Sequence, residues 1–205
     1  MATALRQPAL HMWWEEDELV VSLGPLQGLW TAEQYLRVTD QTNRLIEYSD
    51  GYIEVLPMPT EHHQALLEFL FLALRAYTEP RGGKVRFAPL RVQIHEHKFR
   101  EPDILLVCDA NDPRRQNRYW YGADLVVEIV SPDHPERDTQ EKRIDYAEAD
   151  IPEYWIVDSE HELITVLRLE ADAYVEHGLF RRGDLATSFL LPNFAVPVDA
   201  VLSAR

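Results

Sequence analysis

The feature that most constrains the fold is a strand–helix–strand pattern in the second half of the chain. Residues 124–130, DLVVEIV, form an apolar run typical of a central strand, and residues 153–158, EYWIVD, form a second one. Between them, Asp138 stands three residues before Glu141, which is the spacing of a capping box. We expect Asp138 to be the N-cap of a helix that ends near Ala149. A helix that links two strands of one sheet makes a crossover connection.

Upstream of this unit, Thr60 precedes leucines at helical spacing and predicts a helix that Pro80 ends. Two strand-like segments follow it, Lys84–Ile94 (broken near Pro89) and Asp103–Cys108. Strands in a meander, followed by a crossover helix, predict an α/β (α+β) fold with a mixed β-sheet flanked by helices.

Further strands are expected on both sides of this core. RLIEYSDGYIEVL predicts an N-terminal hairpin around Asp50-Gly51, a pair that tolerates the positive φ of a type I′ turn, and Thr31 is a plausible N-cap before it. LITVLRL and AYVEHGLF predict extra C-terminal strands. No Pro/Gly/Ser linker divides the chain, so we expect one domain over residues 31–205 after an N-terminal extension over residues 1–30.

Composition narrows the class of protein. Hydrophobic residues make up 46% of the chain, enough for a real core. No apolar stretch of membrane length and no signal peptide is found, so we expect a cytoplasmic protein without a membrane partner. The single cysteine, Cys108, excludes an internal disulfide and a cysteine zinc cluster, and its apolar neighbours predict burial.

The net charge of -15 argues against a polyanionic partner. Its distribution is uneven, because residues 75–118 hold ten of the 20 Lys and Arg but only six of the 35 acids. A basic face on an acidic body and an ordinary mixed surface both remain open.

One carboxylate stands out, because Glu128 lies inside the apolar run DLVVEIV. An isolated buried charge costs several kcal/mol unless it is paired or neutralised. If the strand that Asp103 opens pairs antiparallel with this one, the two carboxylates converge at one edge of the sheet. Such a pair of hard oxygen ligands suits Mg²⁺ or Mn²⁺. Structural salt bridges, to Arg100, Arg143 or Lys142, are the open alternative.

The crossover helix adds Lys142, with Tyr146 at i+4 on the same face. A lysine beside a metal can hold or help deprotonate an attacking water and can stabilise charge on a phosphate. These parts together suit metal-assisted hydrolysis of a phosphodiester.

The motifs REPDILLV, DLVVEIVSPD and RDTQEKRIDYAEADIPEYWIVD, preceded by IEYSDGYIEVLPMPTEHHQALL, resemble the Uma-type family of restriction-like endonucleases, a branch of the PD-(D/E)XK nuclease superfamily. The resemblance spans roughly residues 31–200. It implies a restriction-endonuclease-like core and Mg²⁺-dependent hydrolysis of DNA, and by analogy with that superfamily a homodimer.

The resemblance assigns candidate roles to the site residues. Asp103 matches the aspartate of the PD motif and Glu128 the (D/E) position, both as metal ligands. The residue two after Glu128 should be lysine and is Val130, so the family's lysine corresponds to Lys142 on the following helix. Arg143 in that role, or no amine at all, remains an alternative.

Two supporting residues follow from the same resemblance. Glu47 matches the glutamate of the family's E-L-I-D-G stretch and is a further candidate metal ligand; the alternative is an exposed hairpin carboxylate. His63 matches the histidine of the H-Q pair and could orient a site carboxylate or contact DNA; the alternative is packing or capping at the helix start.

Two functional classes therefore compete. The first is a metal-dependent endonuclease that uses Asp103, Glu128 and Lys142. The second is a catalytically silent protein of the same fold that binds nucleic acid or protein. Within the first, the sequence does not distinguish DNA from RNA or branched DNA.

Overall fold

The computed structural model describes residues 9–14, 17–42 and 44–205. The strands are β1 Ala9–Trp14, β2 Asp17–Ser22, β3 Ile46–Ser49, β4 Tyr52–Val55, β5 Lys84–Phe87, β6 Val92–His95, β7 Lys98–Arg100, β8 Ile104–Val107, β9 Leu125–Ile129, β10 Glu153–Asp158, β11 Leu163–Glu170, β12 Ala173–Arg181, β13 Leu185–Thr187 and β14 Ala195–Pro197. The α-helices are α1 Ala32–Thr39, α2 Glu61–Thr78, α3 Lys142–Glu148 and α4 Val198–Leu202, with a π-helical turn, Arg137–Glu141, directly before α3.

The described residues form two compact units, and the first contains those up to Met58 together with Glu96–Arg100. Here β3 pairs antiparallel with both β4 and β7. Asp50 and Gly51 have φ values of 48° and 92°, so the predicted type of turn is confirmed. Thr31 caps α1 through a capping box with Gln34, as its position predicted. In the segment predicted as an extension, β1 and β2 pair as a hairpin.

The second unit contains Pro59–His95 and Glu101–Arg205. Its sheet has the strand order β12-β11-β10-β9-β8-β5. The pair β9 and β10 is parallel, whereas the other neighbouring pairs are antiparallel. The predicted meander, crossover helix and mixed sheet are therefore confirmed, as is the hairpin of β11 and β12.

Helices cover both faces of this sheet, because successive residues of a strand point to opposite sides. On one face, Leu66 and Leu70 of α2 pack in a core with Val127. On the other face, Tyr146 of α3 packs in a core with Val126. These are called below the α2 side and the α3 side. The C-terminal strands and α4 complete the core on the α2 side.

Two local predictions were wrong. Asp138 does not cap α3, because the helical turns already begin at Arg137 and the Asp138 carboxylate contacts Lys142 instead, with 3.1 Å between Oδ1 and Nζ. Cys108 is exposed rather than buried, because β8 ends at Val107 and the chain leaves the sheet there. In the part of the chain that the structure describes, no helix is long and apolar enough to cross a membrane.

Candidate active site

Asp103 and Glu128 meet at the edge where β8 begins and β9 ends. In the antiparallel register Ile104 lies opposite Val127, so one further step places Asp103 opposite Glu128. Directly opposed residues share a face, with Cβ atoms about 4.5–5.5 Å apart. The backbone N–H of Ile129 donates to Asp103 Oδ2 at 2.8 Å and holds that carboxylate against β9. The strand order thus places two carboxylates side by side on the α3 side.

Glu128 is buried, and two side chains of α3 approach one of its oxygens. Lys142 Nζ lies 2.8 Å from Glu128 Oε1, and the Tyr146 hydroxyl donates to the same oxygen. Both residues lie on one face of α3, because they are four positions apart. An ammonium and a phenol therefore offset the charge of a carboxylate that would otherwise be costly inside the core.

Asp138 is a site residue that sequence reasoning assigned only to capping. Its carboxylate shares Lys142 with Glu128, and the three side chains are each at most 4% exposed. The Tyr154 hydroxyl donates to the backbone carbonyl of Asp138 at 2.7 Å and fixes the π-helical turn. Such turns inside helices are rare and occur frequently at functional sites. The i, i+4 spacing of Asp138 and Lys142 was the feature of the sequence that could have predicted their contact.

The electrostatic surroundings keep the tyrosine neutral. Burial raises the pKa of Tyr154 well above its usual value, and the negative charges of Glu128 and Asp138 raise it further. A phenol with a raised pKa stays protonated, so Tyr154 remains a hydrogen-bond donor at neutral pH.

His63, at the start of α2, contacts the other carboxylate. Its Nε2 lies 3.2 Å from Asp103 Oδ2. Burial by itself would lower the pKa of His63, but the hydrogen bond and the charge of Asp103 outweigh it and the pKa is raised. Thr60 caps α2 by accepting from the His63 N–H at 3.2 Å, which places the ring at the helix start. His63 is therefore positioned to orient Asp103.

The remaining candidates lie elsewhere. Glu47 belongs to the first unit, where it is 1% exposed and pairs with Arg100 at 3.1 Å, so the alternative of an exposed carboxylate was wrong. A metal role for Glu47 stays a prediction. Arg143 lines a cavity together with Tyr174, whereas its neighbour Lys142 reaches Glu128.

The donor set fits a magnesium-type ion. In the described ranges no group of three or more His, Cys, Asp or Glu side chains is arranged around a metal position. Asp103 and Glu128 contribute two carboxylates, and Mg²⁺ is commonly bound through one or two carboxylates while it keeps several waters and binds substrate phosphates. These two residues are thus the ones that would hold it.

The mixed sheet flanked by helices has a restriction-endonuclease-like fold. A crystal structure of "a putative nuclease belonging to DUF820 from Anabaena variabilis ATCC 29413" matches with a TM-score of 0.65. The match covers 82% of this chain and 97% of that chain at 18% sequence identity, so it shows the fold alone.

The family follows from the sequence match. The model of the Uma2 family, described as "Putative restriction endonuclease", matches residues 32–199. The chain belongs to this family, which confirms the resemblance and supports nuclease activity. Comparison with the curated proteins gave no match.

Proposed function

We propose that the protein is a Mg²⁺-dependent (or Mn²⁺-dependent) DNA endonuclease that hydrolyses phosphodiester bonds. The observation that carries the proposal is the convergence of Asp103, Glu128 and Lys142 at one sheet edge, with Lys142 Nζ 2.8 Å from Glu128 Oε1. An acid pair with an ammonium beside it suits hydrolysis of a phosphodiester, because the reaction needs a held cation, an oriented water and compensation of developing negative charge.

Asp103 and Glu128 would hold the cation, which would supply Lewis-acid stabilisation of phosphate oxygens and a more acidic water. Lys142 Nζ donates a hydrogen bond to the attacking water or to a phosphate oxygen. Asp138 restrains the same ammonium from its other side, at 3.1 Å, so Lys142 keeps its position when Glu128 changes partner. Tyr146 orients Glu128, and His63 orients Asp103.

A second candidate is a silent module of the same fold. The buried contact between Glu128 and Lys142 favours it, because that ion pair accounts for both residues without any metal. The two candidates predict different results when Glu128 or Lys142 is replaced. Only the nuclease would lose cleavage activity, so cleavage assays separate them.

The test is cleavage of supercoiled plasmid by purified protein with Mg²⁺, Mn²⁺ or EDTA. The variants are Glu128→Gln and Lys142→Met, with Arg143→Met as the matched control on the same helix. We expect metal-dependent nicking by the parent and by the control, and a loss of about 10²–10⁴-fold in Lys142→Met, the usual contribution of general acid–base groups.

Equal cutting by all four proteins would contradict the proposal and would indicate contamination. Loss in Arg143→Met alone would move the amine role to Arg143. No cutting by the parent of plasmid, RNA or branched DNA would favour the silent module. Each variant is compared at matched folding, checked by circular dichroism.

Three parts of the proposal rest on the resemblance and on composition. These are DNA as the substrate, a homodimer as the assembly and the cytoplasm as the location. Light scattering during size-exclusion chromatography tests the dimer, and a panel of DNA and RNA oligonucleotides tests the substrate.

A further inference from the structure

A polar cavity of about 520 Å³ lies beside β5 in the second unit and has no role in the site described above. Arg86 of β5 and Arg115 of the loop between β8 and β9 line it. We call it the arginine pocket, formed by Arg86 and Arg115 with the amide side chains Asn111, Gln116 and Asn117 at its walls. Side chains of this chemistry recognise phosphate groups.

Both arginines are half-buried, and the hydrogen bonds of both go to backbone carbonyls. Arg86 Nη1 donates to the carbonyl of Val85 at 2.9 Å, and Arg115 Nη1 donates to the carbonyl of Ala110. Within the described ranges neither guanidinium forms an ion pair with a carboxylate, and Arg115 Nε is buried without a hydrogen-bond partner. Two cations that line one cavity without a direct carboxylate contact leave guanidinium donors available to an anion.

The one acid that lines the pocket is engaged mainly by Arg114. Asp112 lines the cavity, but its carboxylate accepts hydrogen bonds from Arg114 Nε and Nη2 at 3.0 Å and 2.6 Å. These hydrogen bonds lower the pKa of Asp112, and the charges of Arg114 and Arg115 lower it further, so Asp112 stays ionised. Arg114 is shared with Asp124, so Asp112 offsets part of the charge of Arg115. The guanidinium of Arg115 lies 5.5 Å from the centre of the buried Trp120 ring, which limits its orientation.

The pocket lies next to the proposed cleavage site. Arg86 is opposite Leu105 in the pairing of β5 and β8, so it shares the α3 side of the sheet with Asp103, two positions away on β8. Diagonal neighbours of this kind are about 7–8 Å apart. A nucleic-acid strand held at Asp103 would therefore have a neighbouring phosphate within reach of Arg86. The Ala88 N–H also donates to the Asp103 carbonyl at 3.0 Å. This hydrogen bond joins the segment that follows Arg86 to the residue that precedes β8.

We propose that the arginine pocket binds a backbone phosphate of the same nucleic-acid strand, next to the bond that is cut. This inference rests on the proposed function for its position and deepens it by identifying a substrate contact. The ligand chemistry is a phosphodiester anion, and a free phosphate ion would share it.

The test measures binding apart from cleavage. A fluorescein-labelled 20-base-pair duplex and the corresponding single strand are titrated with protein in EDTA, and anisotropy is followed from about 50 to 300 mM NaCl. The variants are Arg86→Ala and Arg115→Ala, with Arg86→Lys and Arg115→Lys retaining the charge. Arg181→Ala is the matched control, because Arg181 is exposed at the far edge of the same sheet.

Each phosphate contact contributes about 0.9 to the slope of log K against log salt, so losing one at 0.1 M salt should weaken binding about eightfold. We therefore expect each Ala variant to bind about eightfold more weakly with a slope smaller by about 1, and the Lys variants and Arg181→Ala to stay near the parent. Parent-like affinity and slope in both Ala variants would overturn the proposal.

The outcomes separate this inference from the proposed function. If the parent binds and the Ala variants bind weakly, the pocket is supported even when plasmid is not cut. If the parent cuts and the Ala variants bind and cut like it, the pocket proposal fails while the nuclease stands. Competition by inorganic phosphate that depends on Arg86, together with unchanged oligonucleotide binding by Arg86→Ala, would also overturn it by identifying a free-anion site.

Discussion

Replacing Lys142 by Met should reveal how strongly the buried ion network depends on the ammonium that Glu128 and Asp138 share. Lys142 Nζ lies 2.8 Å from Glu128 Oε1 and 3.1 Å from Asp138 Oδ1. At an effective dielectric constant of about 20, these contacts correspond to gross attractions of about 6 and about 5 kcal/mol. Desolvation offsets most of that, but removing one partner leaves uncompensated buried charge and typically costs about 3–5 kcal/mol. We expect Lys142→Met to lose that much free energy of unfolding.

The assay is urea denaturation in EDTA, followed by tryptophan fluorescence. The matched control is Lys84→Met, because Lys84 also contacts a carboxylate, that of Glu79, at 2.8 Å. That pair is partly exposed, with the two side chains 30% and 27% accessible, so its loss should cost much less than the loss of the buried contact. The two substitutions thus compare a buried with a partly exposed contact at the same ionic distance, and in the control Glu79 keeps Arg75 as a partner.

A double variant tests the electrostatic origin of the loss. Neutralising the carboxylate in Glu128→Gln together with Lys142→Met should recover stability relative to the single Lys142→Met change, with a coupling of about 1–3 kcal/mol. If Lys142→Met costs no more than Lys84→Met, the buried network contributes nothing net and the reasoning is refuted. A large loss without coupling to Glu128 would assign the effect to packing instead.

Three further predictions concern single side chains. Gly83→Ala should destabilise by about 1–3 kcal/mol in thermal denaturation, because the new Cβ would lie 2.6 Å from the Val107 carbonyl oxygen; an unchanged melting temperature would contradict this. His63 has a pKa raised above 6.5, so the stability that the parent gains over His63→Gln in EDTA should be full below that pH and should fall as pH rises through the folded-state pKa. A difference independent of pH would refute this assignment. Tyr146→Phe removes a donor to the Glu128 carboxylate and should cost about 1.5–3 kcal/mol by urea denaturation; no loss would show that the hydrogen bond contributes no net stability.

The central fold could be predicted from sequence because its strongest signals are local and consistent. The runs that form β9 and β10 are buried at every position, and the chain between them returns as a helix on the α3 side. The short strands have no long apolar run that would predict them from sequence. Lys98–Arg100 forms β7 because it pairs with β3, and pairing between distant segments decides strands of three residues more than propensity does.

The two carboxylates of the site could be brought together by register alone, since antiparallel pairing fixes which ends of two strands meet. The sequence could not decide between Lys142 and Arg143, because neighbouring helix positions point about 100° apart and the register of α3 depends on the preceding turn. That turn is π-helical, and its conformation is supported by the Tyr154 hydroxyl from a different strand. The role of Asp138 was hidden for the same reason.

The position of the lysine has a physical explanation in this geometry. Val130, where the superfamily pattern has its lysine, shares the α3 side with Glu128 because strand residues two apart share a face, and it packs there in the core with Tyr146. An ammonium can therefore reach Glu128 from the strand itself or from the helix that packs on it. Here Val130 completes the core, and the ammonium that contacts Glu128 is that of Lys142 on α3. An ammonium that comes from a helix is not held by strand neighbours, so it needs its own restraint. Asp138, one turn before Lys142, provides that restraint through a contact of 3.1 Å with Nζ.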